Sequence, residues 1–408
     1  MKCRFCNHDL IHECINLHNA PPSNAFLSKE QLNEREIYYP LRLYVCEKCW
    51  LVQIDEYKQF YEIFSKDYIY FSSYSTSWLE HAKLYTEMVT ERFTLNETSM
   101  VIEIGSNDGY LLQYFQNNHI PCLGIEPTES TAKVSKEKGI PVICKFFGKK
   151  LAKQLAEAKK KANLLIGNNV LAHVPDVVDF VEGLKIILKK NGVITMEFPH
   201  LMQLIEQTQF DTIYHEHFSY FSFHTVKTIF SKQGLEIFDV ETLSTHGGSL
   251  RIYAKHIDSL CQSISKRVDT LLKKETNQAM LNLKYYKNFQ IKVDILKYSS
   301  ILFLIEQKRK RKTVIAYGAA AKGNTFLNYC GIKKDLIPFV VDASPHKVGK
   351  YLPGNHIPVV NEGNIKKVKP SYVIILPWNL KDEIIDQLHY IKSWGGRFVV
   401  AIPELQIL

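Results

Sequence analysis

The segment "MVIEIGSNDGYLLQYF", residues 100–115, constrains the fold more than any other. An apolar run suited to a buried strand stops at Gly105, the turn Gly105-Ser106-Asn107-Asp108-Gly109 follows, and a helical pattern begins directly after it. Strand, glycine turn and helix in this order open a doubly wound α/β sheet, whose ligand sits at the carboxyl ends of the strands. Further strand patterns follow in "PCLGIEPT", in "ANLLIGNNVLAHVPD", which also carries a short helix with His173, and in "GVITMEF" and "GGSLRIYAK". They make the stretch from about 68 to 258 one α/β domain.

The glycine turn misses the Gly-x-Gly-x-x-Gly dinucleotide fingerprint, because Asn107 and Tyr110 stand where the second and third glycines belong. Glu103-x-Gly105-x-x-x-Gly109 instead resembles motif I of class I S-adenosylmethionine (SAM)-dependent methyltransferases. There an acidic residue and two glycines let the backbone approach a ligand that has no pyrophosphate. Glu126, at the end of the next strand, is placed to grip ribose hydroxyls, although a NAD enzyme would want the same carboxylate.

Cys3-x-x-Cys6 and Cys46-x-x-Cys49 can each form a tight knuckle offering two thiolates, and four thiolates close a structural zinc site with no open position. A redox pair would want a helix start after a strand and would not need to occur twice. Nine cysteines in 408 residues are too few for a disulfide scaffold, so the chain is expected in a reducing compartment, the cytoplasm. No apolar stretch long enough to cross a membrane lacks a charge, and Lys2 and Arg4 replace any apolar signal core. The net charge of +9 allows an anionic ligand, but lysine-rich helix faces give the same balance, and "KRKRK" at 308–312 reads as a solvated helix end.

Residues 259–312 read as a helical connector. A second strand, glycine turn and helix then opens in "TVIAYGAAAKGNTFLNY", where Lys322 adds a charge at a helix N-terminus. Another SAM site, a phosphate site and a plain tight turn are all open there, with diphosphate favoured. The strand in "IPFVVDASP" closes with Asp342. In "YHEHFSYF", residues 214–221, a zincin helix is excluded because Ser219 follows His215 by four. His215 and His224 read as packed or solvated, and a metal held by His215 and His217 would need ligands from elsewhere.

The order Cys-x-x-Cys…Cys-x-x-Cys, "PPSNAFL", "YFSSYS", "VIEIGSNDGYLL", "NNVLAHVPD", "YHEHFSYFS", "HGGSLRIY", "YGAAAKGNTFLNY" and "SPHKVGKYLPG" resembles, over nearly the whole chain, the sugar C-methyltransferases that act on nucleotide-linked 4-keto-deoxyhexoses. The resemblance implies a zinc-binding domain at 1–67 and a class I SAM methyltransferase domain at 68–258. It also implies the connector at 259–312 and a second, Rossmann-like domain at 313–408 that holds the nucleotide sugar. SAM is the implied cofactor and falls to Glu103, Gly105, Asn107, Asp108, Gly109, Glu126, Pro127 and Asn168; one structural zinc falls to Cys3, Cys6, Cys46 and Cys49. The nucleotide-sugar substrate falls to His200, Arg251, Lys322 and Asn324. His217 is the implied base, with Glu216 and Tyr214 orienting it or the sugar. His173 with Asn169 donates towards the ketone oxygen, and Tyr68, among Tyr68, Tyr70 and Tyr74, closes over the ligands. C-3 of a dTDP-linked sugar is the expected acceptor, the chain is expected as a monomer, and neither nucleic acid nor membrane is an expected partner.

Two other functions are weighed against this. A nucleic-acid or amine N-methyltransferase wants Asn/Asp-Pro-Pro-aromatic where this chain has "NNVLAHVP", and a base C5 enzyme wants a Pro-Cys nucleophile, whereas Pro121-Cys122 sits in the second strand. A zinc-stabilised binding module without chemistry is the other alternative.

Overall fold

The computed structural model describes residues 1–57 and 71–408. The long loop between the two cysteine pairs carries β1 (His12–Ala20) and β2 (Tyr39–Val45), and β3 (Val52–Ile54) follows the second pair; the three pair antiparallel. β4 (Val101–Ile104), β5 (Cys122–Ile125), β6 (Val142–Ile143), β7 (Ala162–Asn168) and β8 (Leu188–Pro199) are the parallel strands of a seven-stranded central sheet. After β8 the chain leaves that sheet, and β9 (Ser219–Tyr220) pairs with β3 as fourth strand of the N-terminal sheet. β10 (Leu235–Leu243), which the sequence pattern did not reveal, and β11 (Ser249–His256) return to the central sheet. Its spatial order is 10-11-8-7-4-5-6, with β11 antiparallel to β8 and β10. This is the strand order of the class I SAM methyltransferase fold.

Successive residues of β7 serve opposite faces of the sheet, as the pleat requires. Leu165 joins the apolar layer built with Leu151, Val181 and Phe230; Leu164 and Ile166 join Tyr85, Val89 and Phe115 of helices 76–92 and 112–117. The C-terminal sheet is formed by β12 (Val314–Tyr317), β13 (Val340–Val341), β14 (Val359–Val360), β15 (Tyr372–Ile375), β16 (Arg397–Val400) and β17 (Gln406–Ile407), in the order 14-13-12-15-16-17. All pairs but the last are parallel, a second Rossmann-like sheet whose order reverses beside β12.

One apolar core runs through Ile15, Leu43 and Ile54 of the N-terminal sheet, Phe289, Val293 and Leu296 of helix 289–309, and Val314, Ala316 and Ile374 of the C-terminal sheet. Polar bonds add to it along "PPSNAFL". The Ser23 and Thr325 hydroxyls lie 3.1 Å apart, and Leu27 and Tyr351 exchange both backbone bonds at 2.9 Å. In the connector, Glu275 is 1% exposed and accepts from the backbone N–H groups of Phe223 (2.6 Å) and His224 (2.8 Å) and pairs with His200 Nε2 (2.7 Å). It thereby caps helix 223–232, tying the connector to the central domain. Because two backbone donors and an imidazole would be stranded, Glu275→Ala is expected to lower unfolding stability by about 3 kcal/mol in urea titration, and Glu275→Gln by less.

Candidate active site and metal centre

The two cysteine knuckles are built alike. Asn7 and Trp50, each four residues after the first cysteine of its pair, take left-handed conformations (φ 59° and 62°), and their N–H groups bond back to the Cys3 and Cys46 carbonyls at 2.9 and 2.8 Å. The four Sγ atoms lie within 4.8 Å of one another, with Cys3–Cys49 at 3.5 Å and Cys6–Cys46 at 3.4 Å. A tetrahedral zinc with bonds of about 2.3 Å wants sulfur separations of roughly 3.8 Å, so the set fits a closed four-thiolate site. Gln53 Nε2 donates to Cys3 Sγ at 3.3 Å and its Oε1 accepts from Arg4 N at 2.9 Å, linking the centre to β3.

At the end of β4 the loop turns through Gly105 (φ 68°), Asn107 (φ 48°) and Gly109 (φ 76°). A Cβ on Gly105 would come within 2.5 Å of Val170 Cγ2, and one on Gly109 within 2.4 Å of Ile140 Cδ1, so both the backbone shape and the packing demand glycine. Glu126 braces the loop from the end of β5: Oε2 accepts from Asn107 N and Oε1 from Thr128 N, each at 2.9 Å. Burial raises its pKa above the usual carboxylate range, and the same cause pushes Glu103 well up. Both Glu103 oxygens, Asp108 Oδ1 and Asn168 Oδ1 are buried without a well-formed hydrogen bond, which leaves a polar cradle suited to a polar ligand. Pro127 follows Glu126 at the rim, its carbonyl accepting from Cys144 Sγ at 3.5 Å. The described part of "YFSSYS" covers the loop, with Ser72 N donating to Asn107 Oδ1 at 2.9 Å and Ser73 N to Asp108 Oδ2 at 3.3 Å. Tyr68 and Tyr70 lie outside the described residues. Tyr74 is exposed, with its hydroxyl 3.4 Å from His346 Nε2 of the C-terminal domain.

Beyond β7, His173 and His217 meet edge to face with centroids 4.6 Å apart, and Tyr214 lies over His217 at 4.1 Å. His217 Nδ1 is 2.9 Å from the Thr212 carbonyl and His173 Nδ1 is 2.8 Å from the Glu216 carbonyl. A carbonyl only accepts, so each Nδ1 carries the proton and each lone pair falls on Nε2. Burial, then the neighbouring His173, holds His217 well below its ordinary value, and burial brings His173 down to about 4. Both are therefore neutral. Glu216 is clamped by Asn24 Nδ2 at 2.8 and 3.0 Å, whereas His215 faces away against the Pro40 carbonyl at 3.2 Å. Asn169 adopts φ 55° and donates its N–H to the Glu197 carbonyl at 2.7 Å, its buried Oδ1 left without a partner.

The four residues expected at the nucleotide do not converge. His200 is committed to Glu275. Arg251 is 5% exposed and bonds Glu197 Oε2 at 2.9 Å; burial would raise the Glu197 pKa, but His81 and Arg251 outweigh it and hold it at about 2. Asn324 is 1% exposed, accepting from Asn355 Nδ2 at 2.9 Å. Of the four only Lys322 lies near the histidines, its charge lowering the pKa of His217 and His246; its Nζ donates to Asn379 Oδ1 at 2.6 Å and lies 4.9 Å over the Trp378 ring. The sequence reading missed Asp211, which accepts from Trp378 Nε1 at 2.8 Å and is pushed by burial to about 6 with Lys322 opposing, and His246, brought by burial to about 4. Asp211 sits in no motif, and His246 opens "HGGSLRIY", which the sequence reading took only as a strand and a source of Arg251. On the second glycine loop, Asp342 repeats the bracing of Glu126: its Oδ2 accepts from Ala319 N at 2.7 Å.

A four-thiolate centre joined to a SAM-type sheet and a second Rossmann-like sheet defines a zinc-containing SAM-dependent methyltransferase. Family models match the chain in the same order: a zinc binding domain over residues 3–64, a methyltransferase domain over 78–240 and a C-methyltransferase C-terminal domain over 244–403. The chain is 31% identical over 407 residues to C-methyltransferase NovU of Streptomyces niveus, covering 100% of this chain and 96% of that protein. It belongs to this family of C-methyltransferases. Solved structures similar to it include magnesium protoporphyrin IX methyltransferase from Synechocystis PCC 6803 with bound SAM (13% identity, 43% of this chain and 78% of that one, TM-score 0.34). A SAM-dependent methyltransferase from Clostridium acetobutylicum is another (9%, 44% and 92%, TM-score 0.36). At those values neither bears on the substrate. The protein is thus a SAM-dependent C-methyltransferase with a structural zinc at Cys3, Cys6, Cys46 and Cys49. Among the described residues no helix is long and apolar enough to cross a membrane.

Metal analysis is expected to return one zinc per chain, and Cys46→Ser to lose it and melt at lower temperature; a zinc-free Cys46→Ser protein with full activity and stability contradicts the structural role. Glu126→Ala is expected to raise the SAM dissociation constant at least tenfold by calorimetry.

Proposed function

We propose that this chain methylates a carbon beside the ketone of a nucleotide-linked 4-keto-deoxyhexose, C-3 of a dTDP sugar, in branched-sugar biosynthesis. The observation that carries this reading is the neutral His217, whose Nδ1–H is fixed on the Thr212 carbonyl so that its lone pair falls on Nε2, with the His173 and Tyr214 rings packed on it and the charge of Lys322 near enough to lower its pKa. A C–H next to a carbonyl is acidic because the resulting carbanion delocalises onto oxygen. The chain therefore needs a base at the carbon and donors or positive charge at the oxygen. SAM, when bound in the glycine-loop cradle, supplies the electrophilic methyl group.

In this reading His217 Nε2 takes the proton. Its Nδ1–H to Thr212 fixes the tautomer, and Tyr214 and the Asn24-clamped Glu216 hold the ring and the sugar in place. Asn169 lines the side where negative charge grows on the ketone oxygen. His173, expected as a donor there, has its one N–H spent on the Glu216 carbonyl and instead packs against the His217 ring and helps to position it. Lys322, which disfavours a charged His217, gains a counter-charge there once an enolate forms. The diphosphate falls to the second glycine loop, with Asp342 placed for the nucleoside's hydroxyls. His200, Arg251 and Asn324 are left out, since each is already engaged inside the protein. The sugar thus lies between segments 68–258 and 313–408, with Tyr68 remaining a proposed cover.

His217→Asn is expected to bind both ligands yet lose methyl transfer by roughly 10²-fold or more. A variant within about tenfold of wild type would leave His217 without the base role. Only neutral His217 is active, so activity is lost as pH falls through its lowered pKa. The acid limb of kcat/KM is therefore expected below the ordinary 6.5; a limb at or above 6.5 would contradict the burial argument.

A further inference from the structure

Helix Phe289–Arg309 carries two apolar stripes on opposite sides. Phe289, Val293, Leu296, Phe303 and Leu304 belong to the core between the N-terminal and C-terminal sheets, with Ser300 and Gln307 buried on the same side. The other stripe is Ile291, Ile295, Tyr298, Leu302 and Ile305, which are 58, 58, 65, 59 and 43% exposed. Its spacing alternates four and three residues, the seam of a two-helix coil, and it runs for about 21 Å at 1.5 Å per residue. A solvent-facing helix normally shows polar residues on this side, and a helix apolar on both sides is normally covered on both.

The flanking charges say what covers it. If the helix lies antiparallel on its own copy about a two-fold axis beside Ser300, Ile295 meets Ile305 and Tyr298 meets Leu302 of the second copy. In that register Lys292 falls opposite Glu306, and by symmetry the pair forms twice; Lys292 and Glu306 are both exposed. Moving the register by one heptad step, to set Ile295 against Tyr298, places Lys287 opposite Lys308. A parallel pairing sets Lys287 against Lys292. Both alternatives bring like charges together, so charge selects one orientation and one register.

We propose that two copies of this chain associate through an antiparallel pairing of their 289–309 helices, with the Ile291–Ile305 stripe as the seam. The dimer replaces the single chain expected from the sequence. The stripe lies on the side of the helix opposite the core it shares with the N-terminal and C-terminal sheets, and it includes none of the site residues, so each copy keeps its own site.

The test uses the full chain. Sedimentation at about 10 µM is expected to give twice the chain mass. Ile295→Glu combined with Leu302→Glu is expected to give a single chain with methyl transfer per chain within about twofold of wild type, a readout that separates lost pairing from misfolding. Lys292→Glu alone and Glu306→Lys alone should each weaken pairing by about tenfold, because each places like charges opposite one another twice. Mixing the two single variants should restore the dimer as a heterodimer, since one chain then carries acids at both positions 292 and 306 and the other carries lysines at both, so each facing pair is again of opposite charge. A wild-type chain of single mass, or a dimer indifferent to the double substitution, overturns the interface. Failure of the mixed variants to re-pair overturns the antiparallel register.

Discussion

The site depends on one strand pairing. β9 is two residues long, yet it joins β3 through Val52 with Tyr220 and Gln53 with Ser219, and Ile54 N donates to the Phe218 carbonyl at 3.1 Å. The segment "YHEHFSYF" is therefore held by the zinc-stabilised sheet as well as by the central domain, where Phe218 N donates to the Ala172 carbonyl at 2.8 Å and Leu201 N to the Phe221 carbonyl at 3.0 Å. His215 against β2 and Glu216 on Asn24 complete that attachment. A loop bearing a proposed base has to be rigid to within a fraction of an ångström, and short loops between a strand and a helix seldom are. Here part of that rigidity comes from a metal centre in another part of the chain, through Gln53, which bonds Cys3 Sγ on one side and sits in the β3–β9 pairing on the other. This gives a closed, catalytically silent zinc a physical reason to be retained by an enzyme.

The same logic explains the chain's polar seams. Burying Glu275, Glu197 or Asp211 without partners would cost several kcal/mol each, so each is met by donors from a distant part of the chain. Glu275 takes helix 223–232 and His200, Glu197 takes His81 and Arg251, and Asp211 takes Trp378. Glu275 ties the connector, and the Asp211–Trp378 bond the C-terminal sheet, to the central domain, while Glu197 joins strands β8 and β11 to helix 76–92 within it, so the site geometry is set by the assembly and not by any one unit. The two glycine loops are braced in parallel fashion, by Glu126 and by Asp342, each at the end of the next strand.

Features with local physical causes were legible in the sequence. The glycine turn at 105–109 announces itself because strand, positive-φ turn and helix are contiguous, and the Cys-x-x-Cys pairs because a knuckle needs only four residues. Strands β4, β5, β7, β8 and β11 and the short helix at His173 followed from the same periodicities, whereas β6 and β10 did not. The rest has long-range causes. Nothing near residue 219 marks it as the partner of residue 53, nor does "PPSNAFL" reveal that Asn24 clamps Glu216. His200, Arg251 and Asn324 looked like anion ligands because their residue types are, and the fold spends them on internal partners. His246, Asp211 and Trp378 lie far apart in sequence and converge only through the packing of the second Rossmann-like sheet.

The central claim is that a carbon, and specifically one beside a sugar ketone, receives the methyl group. The most direct measurement is product analysis by NMR after incubation with SAM labelled with ¹³C in the methyl group and a dTDP-4-keto-deoxyhexose. The account predicts a labelled methyl bonded to the ring carbon adjacent to C-4. A labelled methyl on oxygen or nitrogen, or no transfer to this sugar class while SAM still binds, would contradict it.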